Sequence, residues 1–173
     1  LKKLSLEELA DLKVTSVSRA AERVSSAPSA IYVITHEDIQ RSGVSRLPEA
    51  LRLAPNLQVA QVDSRQWAIS SRGFSSTLAN KLLVMIDGRS IYTPLFGGVV
   101  WSEQNFAVED IERIEVIRGP GGTIWGANAV NGVINILSKK AAETQGIRAH
   151  AFGGSQEAGI AAHLAPFFRD LPE

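Results

Sequence analysis

The chain has 173 residues, with 18 basic and 18 acidic side chains, 45% hydrophobic residues and no cysteine. This length fits one globular domain, or one domain with tails. The balanced charge excludes a molecule-wide positive field that would hold a nucleic-acid backbone. The lack of cysteine excludes disulfides, thiolate zinc sites and cysteine nucleophiles. The longest aliphatic run, residues 82–86, is far shorter than the roughly 18 apolar residues of a membrane-spanning helix.

The first predicted elements are a tether and a strand-helix unit. Residues 4–26 turn from a short helical pattern into a small, polar, β-branched stretch, which is typical of a tether that adds to the sheet edge of a partner, or of a frayed terminus. Residues 30–34 predict a buried strand. Thr35 stands three residues before Asp38, which predicts a capping-box start of a short helix that ends at Gly43.

A second helix and three strands follow. The helix begins near Ser45, with Pro48 in its first turn. Residues 57–62 and 67–71 predict short strands around a polar turn, and residues 81–86 predict a buried strand closed by an Asp-Gly turn. The next segment, residues 90–106, carries the large aromatic residues Tyr92, Phe96 and Trp101 and lacks a clear period, which is typical of a functional loop.

The last third of the chain predicts further strands around glycine turns. Residues 111–117 alternate as a strand does, although neither face is purely apolar, and residues 133–137 form another apolar run. Between them lies a glycine-rich loop that starts at Gly119. Residues 147–152 and 160–164 predict two weaker, half-buried strands.

No catalytic, metal or cofactor pattern is present. Gly121 and Gly126 have the spacing of a phosphate-binding loop, but Ala127 and Asn128 stand where that loop needs lysine and a hydroxyl. The three histidines have no carboxylates at ligand spacing. The sequence therefore predicts that the glycines serve turn geometry and that the protein is not an enzyme.

Two features exceed what a plain domain requires. Arg72-Gly73 and Arg118-Gly119 place a guanidinium at a strand end, where it suits pairing with a carboxylate, or lies solvated at the surface. The aromatic loop from Tyr92 to Trp101 could stack on a ligand, or pack beneath the loop as core. Core packing is the better interpretation for Trp101 than for Tyr92 or Phe96.

Six blocks of the sequence occur in an order that resembles the plug domain of TonB-dependent outer-membrane receptors. The resemblance covers about residues 26–140, and the blocks read YVIT with EDI, LPEAL with PNL, ISSRGF, LVMIDGR, IERIEVIRGP and WGANAVNGVINI. It implies an α/β (α+β) fold: a small globular plug with a roughly four-stranded mixed sheet and short helices. Plugs of this family sit inside a large β-barrel, for which this chain is too short.

The resemblance also implies a function and a division of the chain. The family imports ferric siderophores, haem or cobalamin across the Gram-negative outer membrane, with energy delivered through TonB, and a ferric siderophore is the favoured substrate. The N-terminus of the plug faces the periplasm. The expected domains are a tether at 1–25, the plug at 26–141, and either the start of the barrel or a non-native tail at 142–173.

Site residues follow from position within the family motifs. Arg72 and Arg118 match arginines that lock the plug to glutamates of its own C-terminal barrel, and without the barrel both are expected to reach water. The TonB box, an extended peptide that pairs with TonB, matches Leu12, Lys13, Val14, Thr15, Ser16 and Val17. The substrate-facing loops match Arg65, Gln66, Trp67, Tyr92, Phe96 and Trp101.

Two other functions stay open at this stage. The chain could be a stand-alone soluble periplasmic binding or signalling module with a plug-like fold. It could also be a nucleotide-binding enzyme built on the glycine loop. Binding of a small nutrient by the chain alone would favour the first, and stabilisation by phosphate would favour the second.

Overall fold

A five-stranded mixed sheet, the central sheet, organises the larger of two units in a computed structural model of the chain. The units span Leu1–Ser138 and Lys139–Glu173. The structure describes residues 13–14, 22–23, 30–140, 144, 146–153 and 158–165.

The strands of the central sheet are β3 Ile31–Thr35, β6 Leu82–Ile86, β7 Arg89–Ser90, β8 Ile111–Arg118 and β9 Gly132–Ser138. Their order across the sheet is β3-β8-β9-β6-β7. Neighbouring strands are antiparallel except β6 and β9, which run parallel. The expected mixed sheet of roughly four strands is confirmed, because four of these strands are long and β7 has two residues.

Short helices follow β3. Thr35 caps α1, His36–Ser42: its hydroxyl accepts from the Asp38 backbone N–H at 3.2 Å, and its own N–H donates to the Asp38 carboxylate at 3.2 Å. Gly43 ends α1 with a φ of 68°, which glycine adopts without steric cost. Helix α2, Leu47–Ala50, has Pro48 in its first turn and continues as the 3₁₀ turn Leu51–Leu53. It begins two residues after the predicted Ser45.

The two faces of the central sheet are both buried. Alternation along β8 sends Ile114 and Val116 to the first face, where they join the main core with Ile34 and Ile134. The second face forms a separate cluster that contains Leu83, Met85, Ile117, Ala129, Val133 and Val14. The central sheet is therefore packed against other parts of the protein on both faces.

The remaining strands form three two-stranded ladders. Strand β1, Lys13–Val14, pairs with β2, Glu22–Arg23, and β4, Gln58–Gln61, pairs with β5, Trp67–Ser70. In the second unit, β10, Gly146–Gly153, pairs with β11, Ala158–Ala165. Strands β4 and β5, and strands β10 and β11, lie where the sequence predicts them. Within the described residues, no helix is long and apolar enough to cross a membrane.

The predicted loop at residues 90–106 has more local structure than its sequence indicates. Thr93 and Gly98 form an isolated β-bridge, and Trp101–Glu103 is a 3₁₀ turn. A further 3₁₀ turn, Val108–Asp110, leads into β8. Helix α3, Gly122–Trp125, closes the glycine-rich loop. Turns this short carry no hydrophobic period, which is why the sequence does not reveal them.

Candidate functional site

Two cavities flank the turn between β4 and β5. One of about 510 Å³ extends toward α2, and one of about 300 Å³ extends toward Phe96 and Leu78. Both are lined by Arg65, Trp67, Trp101 and Ser102. The structure therefore brings the tip of the β4–β5 hairpin against the 3₁₀ turn Trp101–Glu103, and it surrounds the two cavities with both aromatic and polar side chains.

Asp63 fixes the conformation of the hairpin tip. One of its carboxylate oxygens accepts the backbone N–H groups of Arg65 and Gln66, each at 2.7 Å. The hydrogen bond from Arg65, followed by that from Gln66, lowers the pKa of Asp63 below its ordinary value of 3.8, and the charge of Arg65 adds to this. The carboxylate therefore fixes the backbone of the turn that carries the exposed Arg65, a residue that lines both cavities.

The two tryptophans of the predicted loops are walls of the cavities and part of the core. Trp67 is 3% exposed and Trp101 is 6% exposed, and both belong to the main core cluster. Core packing of Trp101 is thus confirmed. The guanidinium of Arg52 lies 5.3 Å from the centre of the Trp67 ring, a cation–π contact that the sequence did not indicate.

Tyr92 and Phe96 have different environments. Phe96 is 53% exposed and lines the smaller cavity, next to Leu95, which is 82% exposed. Tyr92 is half-buried and is not among the lining residues of either cavity. The loop is held close to Leu78, because a Cβ at Gly98 would meet the Leu78 backbone at 2.8 Å. Gln66 lines the smaller cavity as well.

The side chain of Arg72 lies close to the backbone of Gly119, although the two residues are far apart in sequence. The terminal nitrogens of Arg72 lie 3.8 and 3.9 Å from the position of a Cβ on Gly119, the residue after Arg118. Arg72, Gly73 and Phe74 all have positive φ angles, of 58°, 89° and 58°. Such angles are uncommon outside glycine, so the chain is sharply turned where it presents Arg72.

Arg118 is less accessible than expected. Its Nε is buried and has no hydrogen-bond partner within the described residues, and its guanidinium carbon lies 5.9 Å from the centre of the Tyr32 ring. Arg72 is exposed. Arg118 itself is half-buried, so its side chain reaches water only in part.

Two backbone N–H groups of the glycine-rich loop donate to carbonyls within the chain. The N–H of Gly119 donates to Asn131 and that of Gly121 to Ala129, at 3.3 and 2.8 Å. A Cβ at Gly121 would meet the Val133 side chain at 3.1 Å, so the loop packs closely against β9 there. A phosphate-binding loop instead points free N–H groups at its ligand, which argues against the nucleotide-binding alternative.

Part of the predicted TonB box is built into the domain. Val14 is 0% exposed and packs on the second face of the central sheet, while Lys13 and Val14 are already paired with β2. Leu12, Thr15, Ser16 and Val17 lie outside the described residues.

Comparison with solved structures identifies the class of fold. The ferripyoverdine receptor of the outer membrane of Pseudomonas aeruginosa has the same fold over 80% of this chain and 17% of its own, with a TM-score of 0.62 and 21% identity. The ferric-catecholate import receptor Fiu of E. coli K12 matches 81% of this chain and 19% of its own, with a TM-score of 0.58 and 28% identity.

Sequence comparison then identifies the family. The family model described as TonB-dependent Receptor Plug Domain matches residues 23–133, and the chain therefore belongs to this family. The vitamin B12 transporter BtuB of Vibrio cholerae is 30% identical over 155 residues, which are 88% of this chain and 25% of that protein. The iron-regulated outer membrane virulence protein of Vibrio cholerae is 34% identical over 132 residues, or 73% of this chain and 20% of that protein. These relatives are transporters and receptors, not enzymes, and the chain spans about a quarter of their length or less.

Proposed function

We propose that this chain is the plug of a TonB-dependent outer-membrane transporter. In it the plug occludes the barrel, contacts the ligand and signals to TonB that the ligand is bound. It performs no catalysis. The single observation that carries the proposal is the match of residues 23–133 to the TonB-dependent Receptor Plug Domain. Val14, a residue of the predicted TonB box, is fully buried against the central sheet and its strand is already paired. TonB can add this segment to its own sheet only after displacing it.

The proposed location is the Gram-negative outer membrane, with the plug inside its own C-terminal barrel and its N-terminus facing the periplasm. In that position the tether meets TonB from below, and the two cavities beside Arg65 and Trp101 meet the ligand from above. Ligand contact with the hairpin tip alters the exposure of the tether, TonB pairs with residues 12–17, and the resulting pull remodels the plug.

The first proposed substrate is a ferric siderophore. Its support is the match to Fiu, a ferric-catecholate import receptor, and to the iron-regulated outer membrane virulence protein. Cobalamin is the second candidate, because vitamin B12 transporters are among the relatives with the greatest coverage of this chain. Haem is a third nutrient that such transporters carry. Uptake of iron-labelled siderophore and of labelled cobalamin by cells expressing the complete receptor separates the candidates.

Binding to TonB tests the proposal directly. Deleting residues 12–17 is expected to abolish binding of the chain to the periplasmic domain of TonB, measured by calorimetry. Deleting residues 2–7 removes the same number of tether residues and serves as the control. Equal binding by both deletions would show that residues 12–17 are not the TonB box.

The alternative function is a stand-alone periplasmic binding or signalling module. An antibody against residues 26–140 separates the two in the source organism. An outer-membrane band several times heavier than 18.6 kDa is expected for the transporter. A soluble band near 18.6 kDa would replace the transport function with binding or signalling.

A further inference from the structure

The second face of the central sheet is not uniformly apolar. At one end Ile117 of β8 and Val133 of β9 pack with Val14. Two residues along the same strands, and on the same face, lie Glu115 and Asn135, which are directly opposite each other in the ladder. The face therefore has an apolar half, where β1 is held, and an adjoining polar half.

The polar half is buried. Glu115 is 0% exposed and Asn135 is 4% exposed. The Glu115 carboxylate accepts from the Nε of Arg113 at 2.9 Å, and Arg113 also pairs with the more exposed Glu112. The Asn135 side-chain oxygen accepts the backbone N–H of Gly88 at 3.2 Å.

Such a cluster is a poor way to maximise stability. Burying an ion pair removes two charges from water, and replacing it with apolar residues of similar volume is often neutral or stabilising. Its behaviour differs from that of apolar residues when the face is uncovered. An uncovered apolar surface stays unfavourable in water, whereas uncovered charged and amide groups regain their hydration. Arg113 and Glu112 extend from the buried carboxylate toward solvent, with 14% and 41% of their side chains exposed.

We propose that Arg113, Glu115 and Asn135 form a release seam on the second face of the central sheet, through which water enters as the tether detaches. The apolar packing of Val14 holds the tether on the sheet, and the release seam lowers the energy barrier to detaching it. This proposal rests on the proposed function, because a seam of this kind serves a domain that is pulled from its N-terminal end.

The test replaces the seam by apolar residues in the full chain. A double variant, Arg113→Met with Glu115→Leu, is expected to fold with unchanged or greater stability toward urea and to require a higher force to detach the tether. Force is measured by single-molecule pulling from residue 1 against an anchor at residue 138. The same variant in the complete receptor is expected to lower the initial rate of TonB-dependent uptake at least tenfold. Arg41→Met, which removes an exposed ion pair of α1 with Asp38, is the control and leaves both readouts unchanged.

A second variant keeps the proposal testable if the double variant does not fold. Asn135→Leu lies on the same face, and the Gly88 N–H that it frees belongs to an exposed turn. It is expected to raise the detachment force as well. Wild-type force in either folded variant overturns the seam, whatever the uptake result. Uptake by the wild-type receptor that does not require TonB would contradict the proposed function instead. The force measurement does not involve transport, so the two failures can be told apart.

Discussion

Asp63 sets the geometry of the hairpin tip through a single oxygen that accepts two backbone N–H groups. These hydrogen bonds favour the ionised form, so the pKa of the carboxyl is lower in the folded chain than in the unfolded one. A lowered pKa stabilises the tip at pH values above the unfolded pKa. That contribution is lost as pH falls through the folded pKa.

A pH titration of the amide protons tests this assignment. The resonances of Arg65 and Gln66 are expected to shift together with a midpoint below pH 3.8, the ordinary value for Asp63. Asp63→Asn keeps an acceptor oxygen but has no carboxyl group to titrate, so it should abolish the transition. A midpoint at or above 3.8 would contradict the hydrogen-bonded carboxylate.

Individual residues also show where sequence reasoning ends. The aromatic loop was predictable, and so was the burial of Trp101, because a large aromatic ring in a long loop needs a surface to pack on. The sequence did not reveal Arg52 over Trp67 or Tyr32 beside Arg118, since both contacts join residues whose proximity depends on the fold. Glu115 lies on the strand whose faces the sequence predicts to be mixed, and only the structure shows that it is fully buried.

The β8–β9 ladder depends on close backbone approach at Gly132. A Cβ at this position would lie 2.6 Å from the Ile117 carbonyl oxygen, a distance that requires the two strands to move apart. Gly132→Ala is therefore expected to destabilise the domain by about 1–3 kcal/mol, as overpacking does. Urea unfolding of the full chain measures the change.

Gly122→Ala is the matched control for Gly132→Ala. Gly122 begins α3, and its added Cβ would have no neighbour within 4 Å. The substitution is expected to leave stability unchanged or raise it by up to about 1 kcal/mol, because alanine loses less backbone entropy on folding. Equal effects of the two substitutions would show that the close approach at Gly132 does not limit stability.

Elements with a strong local signal were the most predictable part of the fold. The capping box at Thr35, the Asp-Gly turn after β6 and the alternation of β8 each depend on residues near one another in sequence, and each is present. Strand order cannot be read in this way. The parallel pairing of β6 with β9 spans about fifty residues, and the burial of Val14 joins the tether to a strand more than a hundred residues away.

Across the whole molecule, Arg72 and Arg118 are proposed to lock the plug to glutamates of its barrel. The terminal nitrogens of Arg72 approach Gly119, the residue after Arg118, and the buried Nε of Arg118 has no hydrogen-bond partner among the residues that the structure describes. An unsatisfied buried donor costs about 1–3 kcal/mol, so a partner supplied from outside this chain would stabilise the assembly.

Opposite effects in the isolated chain and in the complete receptor test this lock. In the isolated chain, Arg118→Met should leave stability toward urea unchanged or raise it, and the exposed Arg72→Ala should change it by no more than about 0.5 kcal/mol. In the complete receptor, each substitution leaves a buried glutamate unpaired, and plug retention should weaken by about 3–5 kcal/mol. Unaltered stability and transport of the receptor carrying Arg72→Ala would make the locking role wrong.

The strand order of the central sheet also fixes the sequence in which the domain comes apart under load. Strand β3 is the first long strand after the tether, and among the described strands it lies at an edge of the sheet with β8 as its one neighbour. A load on the N-terminal end meets this five-residue ladder before any other in the sheet. Withdrawal of β3 leaves β8, β9 and β6 hydrogen-bonded to one another and removes the Tyr32 ring from the guanidinium of Arg118. The fold thus couples mechanical loss of one edge strand to solvent access at an arginine more than eighty residues away.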